Sequence, residues 1–232
     1  MRPITRGEAP KDTNGTMIVF KVYGDARDSL IGRIGDFCSY CEVALHSSID
    51  VEHVQPKKFH PELETTWGNF LFACNYCNSV KGRKNVGLDE YYWPDSDNTS
   101  RPFVYELDRS PQVANWLSPD QKAIAKRTLE LTGLDREPGH PDKTLKDRRW
   151  IKRREAWGVA LIERRKVERS NTADQRDSAV QAAIARGFWS VWMQVFSDDI
   201  DMRHRLNAAF RGTAIDAFDN TAQPCQRPGG QL

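Results

Sequence analysis

The sequence predicts an α+β fold: a small strand–strand–helix finger, stapled by four cysteines and embedded in a mainly α-helical chain. Three observations carry this. Two Cys-x-x-Cys pairs, Cys38/Cys41 and Cys74/Cys77, stand 32 residues apart and enclose two short runs rich in β-branched or aromatic residues. From Ser118 onward the apolar residues recur at helical rather than alternating spacing. Seven Trp, ten Phe and six Tyr supply the large apolar surfaces of a core, despite 28% charged residues.

Taken in order, residues 1–16 are polar, with Pro3, Gly7, Pro10 and Gly15, and are expected to run extended over the surface. Asp25 to Phe37 places Leu30, Ile31, Ile34 and Phe37 at helical spacing, an amphipathic helix entering the first cysteine pair. Ser48 to Val54 reads as a short strand, and Pro56 and Pro61 force a loop after it. Trp67 to Ala73 holds Phe70-Leu71-Phe72, a second strand or a tight turn. Asn75 to Lys84 reads as a helix running into a basic end. Asp89 to Phe103 is a turn-rich connector. Ser118-Pro119-Asp120 is a cap followed by proline in the first turn, so a helix starts there and ends near Gly133. Lys143 to Arg169 and Asp174 to Arg186 are further helices. Phe188, Val191, Trp192, Val195 and Phe196 repeat at i, i+3, i+4, i+7 and i+8, a buried face. Met202 to Phe210 is the last helix, and the segment after Asn220 has no periodicity.

Composition narrows the function classes. A net charge of +2 excludes a uniformly basic nucleic-acid coat but not local basic patches. No apolar run reaches the roughly 18–20 residues of a membrane span, and Met1-Arg2-Pro3-Ile4-Thr5-Arg6 lacks the apolar core of a signal peptide. The expected setting is cytoplasmic, without membrane association. In a reducing compartment two Cys-x-x-Cys pairs favour metal over disulfides. A redox motif accounts for one pair and leaves the other without a purpose. Four thiolates close the coordination sphere of a zinc ion, so Cys38, Cys41, Cys74 and Cys77 are assigned to a structural zinc that contributes folding energy rather than chemistry.

Chemistry then falls to the residues beside the staple. His53 is the best general base, since an imidazole accepts a proton from water near neutral pH. Glu52 points to the opposite side in a regular strand but reaches a metal if the chain bends. Asn78 offers a neutral amide oxygen. One carboxylate, one amide and several waters suit Mg²⁺, which polarises a phosphodiester while His53 activates water.

Cys38-x-x-Cys41, Asp50-Val51-Glu52-His53-Val54-x-Pro56-Lys57, Trp67-Gly68-Asn69-Phe70 and Cys74-x-x-Cys77-Asn78-Ser79-x-Lys81-Gly82 closely resemble, in order and over about 45 residues, the zinc-bearing HNH endonucleases. The resemblance implies a ββα-metal finger that hydrolyses phosphodiester bonds with one divalent ion, Mg²⁺ or Mn²⁺. By it, His53 is the general base and Glu52 a metal-side acid. Asn69 is the middle motif residue, bonding backbone to hold the catalytic loop. Asn78 falls where the family carries its last His or Asn, the second ligand of the catalytic ion. The chain thus reads His-Asn-Asn rather than His-Asn-His, which leaves that ion a weaker ligand. The opening Met1-Arg2-Pro3-Ile4-x-Arg6-Gly7 and the Cys-x-Tyr-Cys-Glu knuckle are similar to a bacterial HNH group that includes effectors of Septu-type and retron-linked anti-phage systems. In that group the nuclease works with an ABC-type ATPase.

The implied organisation is a nuclease module with its N-terminal arm and helix over residues 1–100, a helical region for packing or docking over 101–220, and a disordered tail over 221–232. Lys57, Lys58, Lys81, Arg83 and Lys84 cluster beside the motif and are assigned to phosphate contact, against the alternative of a solubilising surface. His46 and His60 flank the motif and read as solvated loop histidines; His140 and His204 carry no assignment. Lys143 to Arg169 holds eleven Lys/Arg against four Asp/Glu, with Trp150, Trp157 and Leu161 on one face. It is a surface for nucleic acid, for an acidic partner, or a solvated face with salt bridges. The leading expectation is an HNH endonuclease with DNA favoured over RNA, an anti-phage effector working with an ABC-type ATPase. The alternatives are an RNA-cleaving effector acting on targets such as tRNA, and a non-catalytic zinc module binding nucleic acid or protein.

Overall fold

The computed structural model describes residues 1–46 and 49–232. Helix α1 (Arg27–Ile34) buries Leu30 and Ile34, one turn apart, and stops at Gly35. Strands β1 (Asp50–His53) and β2 (Phe70–Ala73) pair antiparallel, with His53 opposite Phe70 and Asp50 opposite Ala73. The first residue of the expected strand, Ser48, lies outside the described residues. Helix α2 (Asn75–Lys81) follows β2 directly; its cap is Cys74, whose sulfur accepts from the Cys77 amide. Strand, strand and helix therefore close on themselves within 32 residues, from Asp50 to Lys81.

After the small pair β3 (Phe103–Val104) and β4 (Gln112–Val113), the chain is helical: α3 (Pro119–Thr132), α4 (Arg149–Ser170), α5 (Ala173–Arg186), α6 (Trp189–Val195) and α7 (Ile200–Ala209). Helix α3 begins with a reciprocal Ser118–Gln121 capping box and ends on Gly133 in the left-handed conformation. Helix α4 starts later than its charge pattern suggests. Asp147 accepts from the Arg149 amide and grips the Arg149 guanidinium, which holds the preceding residues in a turn. Among the described residues no helix is long and apolar enough to cross a membrane.

The core sits between the finger and α4–α7. Helix α6 is buried on more than one stripe, with only Gln194 exposed: Trp189, Ser190 and Met193 are inside together with Val191, Trp192 and Val195. It is entered through Phe188 at φ 58°. That conformation costs about 1–2 kcal/mol. Burying a tryptophan removes some 150–250 Å² from water, about 4–6 kcal/mol each, so Trp189 and Trp192 outweigh the strain.

Both chain ends differ from the sequence expectation. Met1, Arg2 and Ile4 are buried rather than laid over the surface. The Arg2 guanidinium donates to the carbonyls of Ile34, Phe210 and Arg211, at the ends of α1 and α7, where a cation suits the helix dipoles. Residues 221–232, expected to be disordered, are packed. Arg227 donates to the Ile4 and Pro94 carbonyls, Asn98 donates to the Ala217 and Cys225 carbonyls, and Leu232 is 3% exposed. Hydrogen bonds to distant backbone order this tail, and periodicity does not report them.

The finger docks on the helices through the residue after its first knuckle. Glu42, at φ 67°, accepts from the amide and hydroxyl of Ser190 at 3.0 and 2.6 Å, and its carbonyl accepts from the Phe188 amide. Gly187, at φ 71°, comes so close that a Cβ would stand 2.5 Å from the Glu42 carbonyl oxygen. Gly187→Ala is therefore expected to cost roughly 2–3 kcal/mol or more. Thermal unfolding checks this: a melting temperature within a degree of the parent would contradict the docking.

Candidate active site

The four cysteine sulfurs all lie within 4.8 Å of one another, and all four residues are buried. Cys41 Sγ and Cys74 Sγ are 3.6 Å apart, far beyond the ~2.05 Å of a disulfide. It is close to the edge of a tetrahedron with ~2.3 Å metal–sulfur bonds, about 3.8 Å. Burial pushes the Cys41 and Cys77 thiols up, while the thiols of Cys38 and Cys41 hold Cys74 down. Arg149 Nη1 donates to Cys77 Sγ at 3.1 Å, a bond that favours a thiolate. This donor set fits structural zinc, closed to water and substrate. Cys225 sits apart, in the packed tail.

On the other side of β1, Glu52, His53 and Asn78 line one cavity of about 450 Å³, joined by Tyr23, Lys58 and Arg83. The His53 ring is clamped edge-on between Tyr23 and Phe70, with centroids at 4.9 and 5.5 Å. Its Nε2 lies 2.8 Å from the Glu64 carbonyl oxygen. A carbonyl only accepts, so Nε2 carries the proton and Nδ1 keeps its lone pair. Burial, with the nearby Lys57 and Lys81 charges, lowers the His53 pKa below its ordinary 6.5. The imidazole is therefore neutral at pH 7 and able to take a proton.

Asn69 does not face the cleft. Its Oδ1 accepts from the Gln55 amide at 2.8 Å, and its Nδ2 donates to the carbonyls of Gln55 and Leu63 at 2.9 and 3.3 Å. It bonds both ends of the loop that follows His53 and brings Glu64 back under the imidazole.

Glu52 and Asn78 face the cleft, with a complication. The Glu52 carboxylate is 2.7 Å from Lys81 Nζ, and burial raises its pKa while Lys81 opposes that rise. One Glu52 carboxylate oxygen is thus shared with a lysine. Lys81, grouped by sequence with the phosphate-facing cations, is 1% exposed, and its ammonium also donates to the His53 carbonyl. It is committed inside the protein. Lys57, Lys58, Arg83 and Lys84 are exposed, and all but Lys84 line the cavity. Lys57 pairs with Glu64 at 2.7 Å and stands over the Tyr23 ring at 4.7 Å.

Other expectations separate as well. His60 contacts Glu62 and Gln55, and His46 lines a different hollow beside α4. Two of the α4 cations, Arg149 and Arg153, are buried and belong to the interior. Sequence reasoning missed Tyr23, Glu64 and Arg149. Tyr23 and Arg149 act across more than twenty residues of separation, and Glu64 acts through its backbone carbonyl, which no residue type reports.

Residues 38–84 match the HNH endonuclease family model. A Septu protein PtuB from Bacillus thuringiensis is 31% identical over 90 residues, covering 38% of this chain and 34% of that protein. The chain thus spans about a third of the length of the curated relative it matches. Cys74→Ser is expected to drop bound zinc well below one equivalent and to lower the melting temperature; metal analysis showing full zinc would contradict the staple. Asn69→Ala should keep zinc and lower cleavage about tenfold or more by freeing the loop under His53, read from turnover at saturating substrate. The zinc-type cysteine cluster, the strand–strand–helix around it and the match over residues 38–84 together make this segment similar to the HNH endonuclease family.

Proposed function

We infer that the chain is a metal-dependent endonuclease that cleaves nucleic acid at the cleft between β1 and α2. The observation that carries this is His53: packed edge-on against Tyr23 and Phe70, its Nε2 proton fixed on the Glu64 carbonyl, its Nδ1 left as an acceptor. His53 Nδ1 takes a proton from water, and the resulting hydroxide forms a bond to phosphorus as the bond to the leaving sugar oxygen breaks. Glu52 and Asn78 are the residues that would hold a divalent ion, Mg²⁺ or Mn²⁺, which when bound polarises the phosphodiester and stabilises the leaving oxygen. Lys57, Lys58 and Arg83 hold the substrate backbone at the cleft mouth.

DNA is the proposed substrate, with RNA the alternative outcome of the same assay. The similarity to a Septu protein supports a place in anti-phage defence. The Septu-like arm and knuckle further support work with an ABC-type ATPase, docked through the helical region 101–220.

His53→Ala should lose Mg²⁺- or Mn²⁺-dependent cleavage of plasmid DNA by about 100-fold or more while keeping zinc and melting temperature. Undiminished cleavage would remove His53 as the base. The pH profile follows from the lowered pKa: the active form is neutral, so the acid limb of the rate is centred below 6.5. An acid limb centred above 6.5 would contradict the buried, proton-accepting imidazole.

A further inference from the structure

Helix α2 stands between two basic hollows, and only one holds the residues assigned to catalysis. The catalytic cleft takes Asn78, Gly82 and Arg83 from the C-terminal end of the helix. The second hollow, about 220 Å³, takes Asn75 and Tyr76 from the N-terminal end and is walled by His46, Arg148 and Lys152. Asn75, Asn78, Ser79 and Gly82 fall at i, i+3, i+4 and i+7, so they share one face. Asn75, Ser79 and Gly82 are exposed and Asn78 is half-buried, so this face is an open ridge joining the two hollows.

Two of the charges at the second hollow, Arg148 and Lys152, are uncommitted. Arg149, which also lines this hollow, pairs with Asp147; elsewhere on α4, Arg154 pairs with Asp108, Arg164 with Glu168 and Asp198, and Lys166 with Glu163. Arg148 and Lys152, one turn apart, make no ion pair among the described residues. Like charges at that spacing repel, so stability of the fold does not account for them. The sulfur cluster behind the hollow does not claim them either, because Arg149 already answers Cys77.

We propose that this hollow is a second phosphate-binding site. In it Arg148 and Lys152, with His46 and Asn75 beside them, hold the nucleic-acid backbone away from the scissile bond. Seven residues of α2 measure about 10 Å, or about three nucleotide steps of ~3.4 Å along one B-form strand. The substrate strand then lies along the ridge of α2, anchored at Lys57, Lys58 and Arg83 at one end and at Arg148 and Lys152 at the other. The site rests on the nuclease reading for the identity of the polymer. Its own prediction is about affinity and salt.

The test measures binding of a 20-base-pair DNA duplex and a 20-nucleotide RNA to the full chain across a salt series, without added Mg²⁺ or Mn²⁺. R148Q/K152Q is expected to bind about tenfold more weakly near physiological salt and to lower the log–log salt slope on duplex by about two, with zinc content and melting temperature unchanged. R165Q/R169Q removes the same charge about 25 Å further along α4, at exposed positions, and is expected to bind like the parent. An unchanged slope in R148Q/K152Q, an equal loss in R165Q/R169Q, or no binding of either polymer by the parent overturns the proposal. Hydrolysis of bis(4-nitrophenyl) phosphate by the parent with Mn²⁺ separates the two readings. That ester is too small to span α2, so its resistance to hydrolysis strikes the nuclease reading while the salt slopes still decide the second site.

Discussion

The rest of the structure depends on how the charge of the cysteine cluster is held inside the protein. Four thiolates around one divalent ion carry a net charge of about −2, and an uncompensated buried charge is among the costliest things a fold can contain. Arg149 answers it. Its guanidinium donates to Cys77 Sγ, to both oxygens of Asp147, and to the carbonyls of Thr132 and Gly133. Those two carbonyls are the C-terminal end of α3, where a cation is welcome. Finger, α3 and α4 thus meet on one planar fork of donors, a geometry that lysine does not reproduce. Glu42 makes the second tie, from the first knuckle to Ser190 of α6.

With the finger fixed to its supports, backbone geometry places the chemistry. The register that puts His53 opposite Phe70 also puts Asn69 beside the loop it must hold. Asn69 closes that loop, the loop returns Glu64, and the Glu64 carbonyl sets the tautomer of His53. The proton acceptor is therefore specified by a chain of hydrogen bonds in which only one side chain, that of Asn69, is polar by type.

What the sequence made legible follows the range of the forces involved. Cysteine spacing, the Ser118 cap with its Gly133 stop, and the run of helices are local, and apart from the later start of α4 they stand in the structure where the sequence places them. The Glu52–His53 step and Asn78 do share one cleft. What could not be read is long-range or backbone in origin: the burial of Met1 to Ile4, the packed tail from 221 to 232, the Tyr23 wall against His53, and the cations turned inward on α4. Charge count is the least informative signal here. Of eleven Lys/Arg between Lys143 and Arg169, Arg149 and Arg153 serve the interior, several are paired, and Arg148 and Lys152 stand exposed at a hollow beside the finger.

The same division operates within the cleft, where Lys81 has the opposite role to its sequence neighbours. A buried carboxylate such as Glu52 drifts toward its neutral form, which would cost it any value as a ligand; the ammonium at 2.7 Å opposes that drift. The second bond of Lys81, to the His53 carbonyl, fastens α2 to β1 at the catalytic step. Lys81 therefore ties Glu52 and His53 together from inside the protein. The Glu52 carboxylate facing that cleft is therefore already partly neutralised from inside the protein.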